Sequence, residues 1–62
     1  MNKVVEILMR RDGITQNEAE NLVDECREEM EQAIAYGRYF EAEDILASYL
    51  GLEPDYVFDI LM

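Results

Sequence analysis

Between Thr15 and Gly37 the apolar residues Ala19, Leu22, Val23, Cys26, Met30, Ala33 and Ile34 recur at steps of three and four. That period places all seven on one stripe of an α-helix. The helix has marked ends. Thr15 and Glu18 form a capping box, in which each side chain satisfies an amide that a helix start leaves unbonded. Gly37 stops the run, since glycine tolerates the left-handed backbone that closes a helix. The remaining segments must be organised around this element.

The flanking segments also read as helices. The first spans Asn2 to Arg11 and ends at Asp12-Gly13. After Gly37, Arg38-Tyr39-Phe40-Glu41-Ala42 leads straight into a third helix carrying Ala42, Ile45, Leu46, Tyr49 and Leu50. So short a connection implies an antiparallel αα-hairpin. Gly51 breaks the third helix, and Pro54 suits the first turn of a fourth, whose apolar face is Val57, Ile60 and Leu61. The spacing of Gly37, Tyr39 and Ala42 resembles the inter-helix turn of a tetratricopeptide repeat, with Leu52-Glu53-Pro54 similar to its closing proline. One hairpin cannot cover its own core, so the likeness predicts packing geometry and no solenoid. The expected fold is all-α: one domain over residues 1–62, a small bundle of three to four short helices around a central αα-hairpin.

Charge and composition narrow the function. Fifteen acidic against five basic side chains give a formal charge of −10. Phosphate backbones and anionic membrane surfaces repel such a chain, so neither direct nucleic-acid binding nor membrane binding is expected. Its partners should be cationic proteins. Half of the residues are apolar, too many for a disordered acidic tail. Sixty-two residues bury only about 60% of their unfolded surface, which argues against a deep catalytic pocket. There is no His and one Cys, Cys26, so intrachain disulfides and Cys/His zinc sites are excluded. Cys26 lies in the apolar stripe between Leu22 and Met30 with no base to activate it, and reads as a core thiol. Carboxylate pairs such as Glu25 and Glu29 lack any Glu-x-x-His or EF-hand spacing. Neither enzyme activity, metal nor cofactor is therefore expected. The opening residues are interrupted by Glu6 and read as neither a signal peptide nor a membrane span.

Two features point to interaction surfaces. In the first helix Val4, Val5, Ile7, Leu8 and Met9 cover an arc of about 200°, twice the stripe an ordinary surface helix buries. The fourth segment, with Tyr56, Val57, Phe58, Ile60, Leu61 and Met62, shows the same excess. This predicts a homodimer joined through Val5, Leu8, Met9, Val57, Phe58 and Leu61; the alternative is that both ends are wrapped into a monomer core. The second feature is acidic. Asp24, Glu28 and Glu31 form a row at i, i+4 and i+7 beside the pair Glu25 and Glu29, and only Arg27 relieves the repulsion. With Tyr39 and Phe40 at the hairpin turn, these five carboxylates are the candidate partner-binding residues. The plain alternatives are a solvated face that maintains solubility and, for the rings, closure of the bottom of the core.

Leu46-Ala47 followed by Leu50-Gly51-Leu52 and a short helix resembles the helix-turn-helix of small repressors. The would-be recognition helix presents Glu53, Asp55 and Asp59, with no Lys or Arg after Arg38, so shared turn geometry is the better reading. Across nearly its whole length the chain resembles the short acidic helical proteins of Gram-positive phages and prophages. The residues that carry the likeness are Arg11-Asp12-Gly13-Ile14-Thr15, Glu18-Ala19-Glu20, the turn from Gly37 to Glu43, and the ending from Leu50 to Leu61. That resemblance implies a non-enzymatic inhibitor, of the anti-CRISPR kind, acting on a host defence protein in the bacterial cytoplasm. Two other roles are open: a structural or adaptor homodimer, and, third, a transcriptional regulator.

Overall fold

The computed structural model describes residues 2–61 and is all-helical over them. Helix α1, Lys3–Asp12, begins at Asn2, whose Oδ1 accepts the Val4 N–H at 2.7 Å. It ends at Gly13 in the left-handed region, φ 66°. Helix α2, Gln16–Ala35, starts with the predicted capping box: Glu18 N–H donates to Thr15 Oγ1 at 3.1 Å and Thr15 N–H to Glu18 Oε1 at 3.2 Å. Its end closes in a Schellman motif, with Gly37 N–H donating to the Ile34 carbonyl at 2.9 Å and Arg38 N–H to that of Ala33 at 2.8 Å. Only a residue at ease with φ 76° can stand at Gly37. Helix α3, Tyr39–Leu50, follows at once, and a 3₁₀ turn over Pro54–Tyr56 leads into the five-residue α4, Val57–Leu61. Thr15 caps α2 as the sequence predicts, and Asn2, read as the first residue of its helix, serves as the cap just outside α1.

At 1.5 Å per residue α2 is about 30 Å long, close to the 34 Å long dimension of the molecule. It is the axis on which α1, α3 and α4 pack. Ala19, Val23, Cys26, Met30 and Ala33 of α2 are buried against Val4, Val5 and Leu8 of α1, Ala42, Leu46 and Leu50 of α3, and Val57 and Ile60 of α4. Ala42 has no side chain beyond Cβ, which allows α3 to lie close to α2. No polar or charged side chain is buried among the described residues.

The expectation of uncovered chain ends is corrected here. Val5, Leu8 and Val57, assigned to an interface with a second copy, are buried in the core of the single chain. The wide arc of α1 faces two neighbours, because α4 returns to pack against both α1 and α2. Met9 and Leu61 are partly covered and also pack on this core. Of the six proposed interface residues Phe58 alone is well exposed, at 62%; Met62 lies outside the described residues.

Two polar side chains secure α4. So short a helix leaves its last carbonyls without intrahelical partners. Arg27 Nε–H donates to the Ile60 carbonyl at 2.7 Å, and Asn2 Nδ2 to that of Asp59 at 3.0 Å. Arg27, read from the sequence as relief for the acidic face, thus reaches across from α2 to hold the end of the chain.

Candidate protein-interaction surface

The apolar stripe of α2 points inward, so its polar positions are driven outward. Asp24, Glu25, Glu28, Glu29 and Glu31 are all exposed, as the sequence predicts. At about 100° per residue they span one continuous arc of about 160° opposite the buried stripe, with Asp24 and Glu31 towards one flank, Glu25 and Glu29 towards the other and Glu28 between them. One flank carries Glu20, Asp24, Arg27 and Glu31. There Asp24 Oδ1 accepts from Arg27 at 3.0 Å, and a shallow recess of about 220 Å³ is lined by Asn2, Val5, Glu20, Val23, Asp24 and Arg27.

The other flank carries Glu25 and Glu29 and faces the edge of α3. These two, with Glu28, Gln32 and Tyr49, line an open groove of about 240 Å³ along the α2–α3 seam. The Tyr49 hydroxyl donates to Glu29 Oε1 at 3.4 Å. Partial burial first, then the Glu29 and Glu25 carboxylates, hold the Tyr49 phenol above its ordinary range, so it remains a neutral donor. Tyr36 follows Gln32 by four residues and therefore lies one turn further along the same flank.

The rings at the hairpin turn do not close the core. Tyr36, Tyr39 and Phe40 are 81%, 47% and 69% exposed. A cluster of exposed rings on so small a protein is unusual, because each leaves apolar area in water that burial would stabilise by about 25 cal/mol per Å². Two members of the groove were missed by the sequence reading. Tyr49 was assigned to the apolar face of α3, and it sits at the border of that face with its hydroxyl outward. Gln32 carries no pattern signal, and only helix pairing brings it to the seam.

The Cys26 thiol is buried, points to the Met30 sulfur at 3.5 Å and is pushed up to about 11 by burial, opposite to what a nucleophile needs. Among the described residues no group of three or more His, Cys, Asp or Glu is placed to hold a metal ion, and no helix is long and apolar enough to cross a membrane. No family model, curated protein or solved structure matches this chain.

Proposed function

We propose that this is a non-enzymatic inhibitor that binds a basic surface of a host defence protein through the acidic face of α2 and the aromatic turn, as its resemblance to short acidic phage proteins implies. The observation that carries the reading is the seam: three exposed carboxylates, none of which forms an ion pair among the described residues, next to the exposed Tyr49 ring. Carboxylates steer the encounter with a cationic partner, and the rings supply the apolar contact that holds it. Blocking is steric and electrostatic, in the bacterial cytoplasm, and needs no cofactor.

The test uses the charge-reversed variant Glu25→Lys/Glu28→Lys/Glu29→Lys, whose positions are all exposed. Expressed in a defence-bearing bacterial host, the wild-type chain should raise phage plating efficiency and the variant should not. Capture of the partner from host lysate should fall steeply between about 50 and 500 mM salt, because exposed charges are screened over that range. Equal activity of the two chains, or capture insensitive to salt, would reject the reading.

A second reading, a structural or adaptor homodimer, is favoured by exposed Phe58. Such a dimer must be built on Phe58 with the partly covered Met9 and Leu61, since Val5, Leu8 and Val57 belong to the chain's own core. Sedimentation of wild type and Phe58→Ser at high micromolar concentration decides it. A wild-type dimer that the substitution dissociates supports this reading, and a monomer in both cases removes it.

A further inference from the structure

The groove along the α2–α3 seam is lined by Tyr49, whose hydroxyl meets Glu29, and helical spacing puts the 81% exposed Tyr36 one turn beyond Gln32 on the same flank. From Glu25 to Tyr36 is eleven residues of helix, about 16 Å along the axis. At about 240 Å³ the groove is smaller than the roughly 300–1,000 Å³ of small-molecule pockets. It suits side chains projecting from a partner. Four of the chain's five cations are engaged elsewhere: Lys3 lies over the Tyr56 ring at 5.6 Å, Arg11 pairs with Asp12 at 2.9 Å, Arg27 with Asp24, and Arg38 stands 3.8 Å from Glu41.

Resting on the proposed function above, we infer that the seam receives an arginine-bearing segment of the partner, with guanidinium groups on the Tyr36 and Tyr49 faces and against the Glu25 and Glu29 carboxylates. Charge complementarity selects a cation, and the rings select which one. A planar guanidinium stacks on an aromatic face and meets a carboxylate through two parallel hydrogen bonds; a lysine ammonium is a compact, strongly hydrated point charge that does neither as well. The Tyr49 ring is held by its bond to Glu29, so little order must be gained on binding.

Two fluorescein-labelled helical peptides of equal length and charge test this, one with arginines at successive i, i+4 positions and the other with lysines. The arginine peptide should bind the wild-type chain about tenfold more tightly at the same salt. In Tyr36→Ser/Tyr49→Leu the ratio should fall towards one while lysine-peptide affinity is retained. Tyr36→Ser alone, at a fully outward position, should lower the ratio severalfold and keeps the test valid if the double variant loses its helical circular dichroism. Equal binding of both peptides to wild type, or a ratio unchanged in the variants, overturns the arginine assignment and leaves the acidic-surface reading standing. If neither peptide binds at low salt, both fall.

Discussion

Arg27→Met isolates the tie that holds the last helix in place. Methionine keeps the apolar stem packed while deleting the guanidinium. Lost are the 2.7 Å bond from Nε–H to the Ile60 carbonyl and the 3.0 Å pair with Asp24. A hydrogen bond from a charged donor contributes about 1.5–3 kcal/mol, and the lower part of that range applies because Arg27 is only half-buried and water can reach the freed carbonyl. The Asp24 pair is exposed and adds well under about 1 kcal/mol. The expected loss is therefore about 1–2 kcal/mol, a large fraction of the roughly 3–9 kcal/mol that stabilises a chain of this size. The midpoint of thermal unfolding should fall by about 5–15 °C. Arg27→Lys should recover little of it, since lysine keeps the charge and loses the Nε–H. Urea unfolding followed by circular dichroism gives the free energy, and amide exchange shows where protection is lost, which should be in α4 before α2. A loss below about 0.5 kcal/mol with α4 protection unchanged would refute the view that Arg27 anchors the chain's end. The seam should be untouched, so peptide binding at Glu25 and Glu29 should be the same in Arg27→Met.

Other consequences follow from the core and the caps. Leu46→Ala, at a fully buried contact of α3, should cost about 2–5 kcal/mol and leave a broad, low-temperature melt; a sharp transition within a few degrees of wild type would contradict the packing described. Gly37→Ala places a β-carbon at φ 76° and should destabilise by about 1–2 kcal/mol although nothing crowds the site, with Gly37→Asn milder in the same denaturation assay. Thr15→Ala removes the capping box and should cost about 0.5–2 kcal/mol by urea titration. The folded Cys26 thiol titrates near 11 against 9.0 for the free group. The unfolded chain thus releases its proton first, so the contribution of Cys26 is complete below pH 9 and declines as pH rises towards 11. Urea midpoints compared for wild type and Cys26→Ala across that window should show a steeper fall for wild type, and thiol-reagent labelling at pH 8 should be slow until denaturant is added.

The candidate surface shows the limits of reading pattern alone. Helical period identified Asp24, Glu25, Glu28, Glu29 and Glu31 as outward, and outward they are. The row of Asp24, Glu28 and Glu31 is outward too; what the neighbours of α2 add is that Asp24 borders the recess beside Arg27, while Glu25, Glu28 and Glu29 border the α3 seam. Period gives an angle around one helix, and says nothing of which neighbour lies at that angle.

The same division holds for the whole molecule. Where helices begin and end is local chemistry, a matter of caps at Asn2 and Thr15, left-handed glycines at Gly13, Gly37 and Gly51, and a three-to-four-residue apolar period, all interactions within a few residues of chain. Hence the four-helix reading and the central hairpin follow from the order of residues. Whether an apolar face is exposed depends on partners distant in sequence. Val5, Leu8 and Val57 look surplus when each helix is considered alone and become core once α4 folds back over α1 and α2, held there by Arg27 and Asn2 through contacts 33 and 57 residues apart. Burial is a property of how helices are arranged in space, and that arrangement was decided only when all four had packed.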